Sequence, residues 1–171
     1  MSTPRLFIVI LNWNLKDQTI SCVKSVFNST YRNYRIVIVD NGSDDGSVEA
    51  FTYHFTDDVD LVSNPENYGF ARGMNTGIRY SLSQGADWIL LLNNDVILET
   101  DMLFNLMKEA EVVSNSAEIL GPAVYYAEEP DEIWKLGDIH LLGLPVPIAV
   151  KRLRRYRRYV VKRLSFQVDY I

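Results

Sequence analysis

The sequence predicts an α/β domain, a mostly parallel central sheet layered between helices. Three observations predict it. Apolar runs of strand length recur, stretches of helical spacing separate them, and the runs end in clusters of Asn, Asp and Gly. An apolar run without polar alternation suits a strand covered on both faces, as inside a parallel sheet.

Taken in order, Leu6-Phe7-Ile8-Val9-Ile10-Leu11 reads as a buried strand. Asp17 is placed to cap a helix whose apolar positions Ile20, Val23, Val26 and Phe27 follow helical spacing. Arg35–Asp40 is a second strand and runs into the turn Asn41-Gly42-Ser43-Asp44-Asp45-Gly46. A short helix at Ser47–His54 and a strand at Asp60–Ser63 follow. The loop Asn64–Gly69 leads into a helix at Phe70–Gln84, with Phe70, Ile78 and Leu82 as its expected buried face. Trp88-Ile89-Leu90-Leu91-Leu92 is the next buried strand. A helix at Thr100–Ser114 gathers Met102, Leu103, Leu106, Met107 and Ala110 on one face, and Glu118–Val124 reads as a further strand. Beyond Tyr125 the rhythm breaks down.

At 171 residues, 47% hydrophobic and 23% charged, the chain is long enough for one domain with a sizeable core. Its one cysteine, Cys22, excludes an internal disulfide framework, fits a reducing compartment, and lies on the apolar side of its helix as a core residue. No stretch approaches the roughly 18 apolar residues of a spanning helix and the N-terminus lacks a secretory pattern, so the expected location is cytoplasmic. The net charge of -5 conceals an asymmetry. Residues 1–150 hold 9 Lys/Arg against 21 Asp/Glu, whereas 151–171 hold 8 Lys/Arg and Asp169 as the one acid.

Three polar loops end three of the expected strands. Parallel strands share a direction, so all three emerge at the carboxyl edge, where open α/β sheets bind ligands. Asn12-Trp13-Asn14 offers an aromatic ring to flank a base. Asp40 offers a carboxylate for a nucleobase N–H or a ribose hydroxyl. Asn93-Asn94-Asp95 offers hard oxygen ligands for Mg²⁺ or Mn²⁺ carrying a phosphorylated substrate, with Asp95 the best ligand. The three clusters are expected to converge on one cleft. No glycine-rich dinucleotide loop and no Walker sequence follows the first strand, which counts against NAD and against ATP hydrolysis. Singly, each cluster has a plainer reading as a turn or cap, and Trp13 as a core aromatic; their joint occurrence at one edge outweighs it. His54 and His140 sit in no ligand or triad pattern.

Val9-Ile10-Leu11-Asn12-Trp13-Asn14, Val39-Asp40-Asn41-Gly42-Ser43-Asp44-Asp45-Gly46-Ser47, Asn67-Tyr68-Gly69-Phe70-Ala71-Arg72-Gly73-Met74-Asn75-Thr76-Gly77 and Leu91-Leu92-Asn93-Asn94-Asp95 together resemble the family 2 glycosyltransferases. The resemblance covers about residues 5–138 and is greatest to the rhamnosyltransferase-like branch, with its Asn-Trp-Asn start and Asn-x-Asp metal motif. Gly121-Pro122 and Ile133-Trp134 also look like family positions. It implies the nucleotide-diphospho-sugar transferase fold called GT-A, a nucleoside diphosphate sugar donor, Mg²⁺ or Mn²⁺, and a glycan or lipid-linked acceptor. Carried over residue by residue, Leu11 and Trp13 line the base and Asp40 binds base or ribose. Asn67, Gly69 and Asn75 shape the nucleotide pocket, Asn93 contacts ribose or metal-bound water, and Asp95 holds the metal. Asn12, Asn94 and Arg72 complete the donor-binding set, Arg72 at a position that varies in the family.

Such enzymes are inverting: an acceptor hydroxyl attacks the anomeric carbon while a carboxylate removes its proton. In the family that base lies well past the metal motif, and Val168-Asp169-Tyr170-Ile171 resembles the strand just before the acceptor loop. The base is therefore expected beyond this chain, Asp169 being a poorly preorganised substitute. The expected division is a nucleotide-sugar-binding domain at 1–140, then a basic segment and the start of the acceptor-binding half at 141–171. A fragment of a longer enzyme fits this; an inactive remnant and half of a split enzyme are the alternatives. Placing Val150, Leu153, Tyr156 or Arg157, Val160 and Leu164 on one helical face gives a tolerable amphipathic stripe with a cationic remainder, the pattern of a helix lying on an anionic membrane. Peripheral membrane contact through 150–164 thus stands beside a solvated insertion, and the acidic remainder opposes nucleic acid. Two rival functions remain. One is a non-catalytic sugar-nucleotide-binding or membrane-docking module; the other is a nucleotidyltransferase, which would show a glycine-rich loop after the first strand.

Overall fold

The computed structural model of the chain describes residues 5–113, 120–122, 124–126, 133–135, 138–141 and 144–147. Two compact units divide it, Met1–Thr100 and Asp101–Ile171. The first unit runs β1 (Leu6–Asn12), α1 (Lys16–Phe27), β2 (Tyr34–Asp40), α2 (Ser47–Phe55), β3 (Val59–Ser63), α3 (Phe70–Ser83) and β4 (Trp88–Leu92). Its four strands are parallel in the order β3-β2-β1-β4. The α/β class expected from the alternating signals is therefore the observed one.

The strand order fixes the layers. β1, β2 and β3 step one way across the sheet, and the chain then crosses back to β4. Right-handed crossovers accordingly put α1 and α2 on one face and α3 on the other. Under α3 lie Phe7, Val9, Val37, Val39 and Met74, with Leu11, Val62, Tyr80, Ala86 and Ile89 around them. Strand alternation sends Leu6, Ile8, Ile10, Ile36 and Ile38 to the opposite face, where they too are buried. There α1 and α2 bury Val23, Val26, Phe51 and Phe55, and the Phe27 and Phe55 rings meet edge to face at 5.9 Å.

Four expectations differ from the structure. Asp17 is not a cap: Leu15 occupies the N-cap of α1 without a side-chain bond, and Asp17 lies in the first turn, where its charge still meets the helix dipole. The buried face of α3 is Gly73, Met74, Gly77 and Ser81, while Phe70 and Leu82 are 63% and 59% exposed. The helix approaches the sheet so closely that a Cβ on Gly77 would strike Val9 and come within 2.9 Å of Val39 Cγ2. Small residues therefore line the contact and the bulky ones turn outward. β4 is only partly buried, with Leu91 50% exposed, because it sits at the edge of the described sheet with β1 as its one neighbour. Finally, residues 120–122 are not strand, and β5 begins at Val124.

In the second unit α4 (Met102–Val113) has Met102, Leu103, Leu106, Met107 and Ala110 buried, the stripe its spacing predicts. β5 (Val124–Tyr125) pairs antiparallel with β6 (Ile133–Lys135), and β7 (Asp138–Leu141) with β8 (Leu144–Pro147). The basic segment at 151–164 and Asp169 lie outside the described residues, as do residues 118 and 119.

Candidate functional site

The order in which the strands step across the sheet reverses at β1, between β2 and β4, and in open α/β sheets the crevice at such a switch point receives the ligand. Ile10 is paired with Leu92, so Asn93 and Asn94 emerge beside Leu11 and Asn12. On the other side of β1, Asn12 is paired with Asp40. Neighbouring residues at one level of parallel strands point to the same face, here the α1 face.

Asn12 and Asp40 meet there under cover. Asn12 Nδ2 donates to Asp40 Oδ1 at 2.8 Å and to Ser43 Oγ at 3.0 Å, and Ser43 N donates to Asp40 Oδ2 at 3.0 Å. Thr19 Oγ1 donates to Asn12 Oδ1 at 2.8 Å, and Asn94 Nδ2 donates to Thr19 Oγ1 at 3.0 Å. A continuous chain of hydrogen bonds thus joins the β4 loop, α1, β1 and the β2 loop. Outside it, Asn14 and Asp44 exchange two bonds of 2.9 Å, lacing the first loop to the second.

One residue past the end of β2, the same alternation turns Asn41 to the α3 face, beside Gly73. Asn41 Oδ1 accepts from Asn64 Nδ2 at 3.0 Å and from Tyr68 N at 3.2 Å, while its Nδ2 donates to Asn67 Oδ1 at 2.7 Å. Asn67 Oδ1 also accepts from Gly69 N at 2.8 Å, at the start of α3. The successive residues Asp40 and Asn41 therefore organise opposite sides of the edge.

The sequence-predicted residues separate into two groups. Asn12, Asp40, Asn67 and Asn94 belong to these networks. Leu11 is half-buried against the core beneath α3. Trp13 is 52% exposed and so not a core aromatic. Asn75, Asn93 and Asp95 are exposed, and among the described residues their side chains make no hydrogen bond or ion pair. Arg72 lies with its guanidinium carbon 3.9 Å from the centre of the Tyr68 ring, a cation–π contact. An open cleft of about 360 Å³ is lined by Asp17, Gln18, Ser21, Asp95 and Ile97. Asp40 is not among its lining residues; it is 1% exposed and reaches Asp95's loop only through the buried chain. The expectation of one cleft shared by all three clusters is corrected accordingly, because strand-level pairing draws Asp40 inward onto Asn12.

Thr19, Asn41 and Asn64 were missed as site residues by sequence reasoning. Asn41 carried a signal, since it adjoins Asp40 at a strand end; a threonine inside a helix carried none. Cys22 adjoins the site from below: its Sγ lies 3.5 Å from the Asn93 carbonyl. Burial, then the charge of Asp95, push its thiol up to about 12 against the lowering effect of the Val96 N–H.

Could the residues present hold a divalent cation? Among the described residues no three His, Cys, Asp or Glu side chains gather. Mg²⁺ needs no such cage when substrate phosphates and water complete its shell, and one exposed, unengaged carboxylate at Asp95 meets that requirement. The donor set fits.

The profile of glycosyl transferase family 2 matches residues 7–166. The chain belongs to glycosyl transferase family 2. This family 2 chain is 25% identical over 140 residues to the glycosyltransferase GlyA of Streptococcus pneumoniae serotype 4, across 81% of this chain and 19% of that protein. It is 26% identical over 126 residues to the glycosyltransferase GlyG of the same organism, across 72% and 40%. The chain thus spans well under half the length of these curated relatives. Among solved structures, the mannosyltransferase PcManGT from Pyrobaculum calidifontis, in complex with GDP-Man and Mn²⁺, shares the fold with a TM-score of 0.61 and 17% identity, over 75% of this chain and 38% of that one. S. aureus TarS in complex with UDP-GlcNAc gives 0.55 and 12%, over 68% and 33%. No helix among the described residues is long and apolar enough to cross a membrane.

Proposed function

We propose that this family 2 chain supplies the donor-binding side of a glycosyltransferase, taking a nucleoside diphosphate sugar together with Mg²⁺ or Mn²⁺. The observation that carries the reading is Asp95, an exposed and unengaged carboxylate following two amides at the switch point of the sheet. A cation held there supplies the positive charge that stabilises a departing diphosphate. Trp13, exposed at the end of β1, offers a face for the base. Asp40 keeps lone pairs after Asn12 and Ser43 are served, and a ribose hydroxyl or base N–H takes one once the β2–α2 loop yields. On this reading Asn67, Gly69, Arg72 and Asn75 border the nucleotide at the start of α3, and Asn93 faces ribose or metal-bound water.

The sugar passes with inversion to a glycan or lipid-linked acceptor, the acceptor proton going to a carboxylate outside the described residues. The Asn-Trp-Asn start and the Asn-x-Asp motif favour the rhamnosyltransferase-like branch. GDP-Man and UDP-GlcNAc in the complexes of fold neighbours support a sugar nucleotide as the ligand class. The test is a calorimetric titration with UDP, GDP and dTDP, with and without Mn²⁺. Binding strengthened by Mn²⁺ is expected, and Asp95→Ala should abolish that gain; a variant that keeps the whole gain removes Asp95 from its role.

A further inference from the structure

The hydroxyl of Thr19 bonds across elements, unlike most helical hydroxyls of this unit, among which Ser25 and Ser83 turn to the carbonyl three residues earlier and Ser47 to the neighbouring Asp45. The hydroxyls of Ser21, Thr52, Thr76 and Ser81 turn back to the carbonyl four residues earlier, the common habit of Ser and Thr inside helices. Thr19, fully buried, turns instead to Asn12 and Asn94. It is the link between the two halves of the site, and the polarity of the bonds through it is not free.

The order of donors starts at Asp40. A carboxylate only accepts, so Asn12 must face it with its NH₂. That leaves Asn12 Oδ1 toward Thr19, whose single proton must go there. Thr19 Oγ1 can then only accept from Asn94, which must offer its NH₂ inward. Asn94 Oδ1 accepts from no described residue. An amide has two ends of nearly equal shape, so its orientation is set by the bonds around it. An amide oxygen is a hard ligand for a divalent cation or its water; an NH₂ in the same place repels one.

We propose that Thr19 is a positioning residue of the cation-bearing loop: its hydroxyl relays the polarity of the Asp40 carboxylate to Asn94, so that the Asn94 carbonyl oxygen stands with Asp95 on the ligand side. The inference builds on the donor-binding reading above. Thr19→Val keeps the shape but can neither donate to Asn12 nor accept from Asn94, which frees the Asn94 amide to present either end. Thr19→Ser keeps the relay.

The titration with UDP, GDP and dTDP, with and without Mn²⁺, separates the two readings. If the wild-type chain shows no binding strengthened by Mn²⁺, the donor reading falls, and this inference with it. If it does, Thr19→Val should cut the Mn²⁺-dependent gain by about tenfold or more, beyond any loss of metal-free affinity, the scale typical of groups that orient a ligand. Thr19→Ser should restore the gain. A valine variant with the wild-type gain overturns the role of Thr19 alone. So does one that loses metal-free and metal-dependent affinity equally with no rescue by serine. Should the valine variant fail to fold, nuclear magnetic resonance on the wild-type chain decides: slow solvent exchange of the Asn94 NH₂ protons, unchanged by Mg²⁺ and UDP, is expected, and fast exchange refutes the relay.

Discussion

Asp40 and Asn41 show how much two adjacent side chains decide. One joins a buried chain running to the β4 loop, the other a cluster that fixes Asn64, Asn67 and the start of α3. Their types were legible in the sequence; their division between two faces follows from alternation along β2, and the partner Thr19 did not show at all. Buried amides and carboxylates are stabilising only when every donor finds an acceptor, which is why these residues bond one another before any ligand arrives. Cys22, expected as core, is core, and its environment has a measurable consequence. Burial and the charge of Asp95 hold the thiol protonated up to about 12. At pH 8 the folded chain should therefore react with a thiol reagent roughly a thousandfold more slowly than the urea-unfolded chain, whose thiol keeps its ordinary value near 8.5. Equal rates would show the thiol exposed. The sign for stability follows: the unfolded thiol ionises first, so this contribution is lost as pH rises past its ordinary value.

From β1 to α4 the elements formed where the local pattern placed them, within a residue or two at each end, but their faces were less legible. The spacing of Phe70, Ile78 and Leu82 suggested an apolar stripe for α3, yet the helix seats itself through Gly73, Gly77 and Ser81. Hydrophobicity alone misleads here because close backbone approach rewards small volume over apolar area. Gly77→Ala should destabilise the chain by about 1–3 kcal/mol in urea unfolding, since the new methyl meets Val9 and Val39 in a packed layer. A neutral result would mean that the helix can lift without cost. Gly42 serves the loops in a related way. Its φ is +73°, and a Cβ there would lie 2.6 Å from Glu66 Cα, so the β2–α2 and β3–α3 loops touch through backbone. Gly46 occupies the N-cap of α2, and one residue earlier Asp45 Oδ1 accepts from Ser47 N at 3.1 Å. Burial pushes this carboxyl up, but bonds from Ser47 and the Lys16 N–H outweigh it and leave it below the usual range.

At the scale of the whole molecule the charge asymmetry carries one more expectation. Residues 151–171 hold 8 Lys/Arg, and at about 1 kcal/mol per basic residue near an anionic surface the segment should bring the chain to phosphatidylserine vesicles but not to neutral ones, with added salt reversing it. Cosedimentation checks this, and equal binding to neutral vesicles would remove the electrostatic account. The sequence by itself determined the α/β class, the order of strands and helices in the first unit and the family, because hydrophobic periodicity and strand-end polar motifs are local signals read along the chain. Only the tertiary structure decided that Asp40 lies beneath the site rather than in the open cleft, that Thr19 ties the two loops together, and that β4 is half exposed. Those outcomes depend on which strands become neighbours and at what register, and such non-local pairing leaves no mark at any single position.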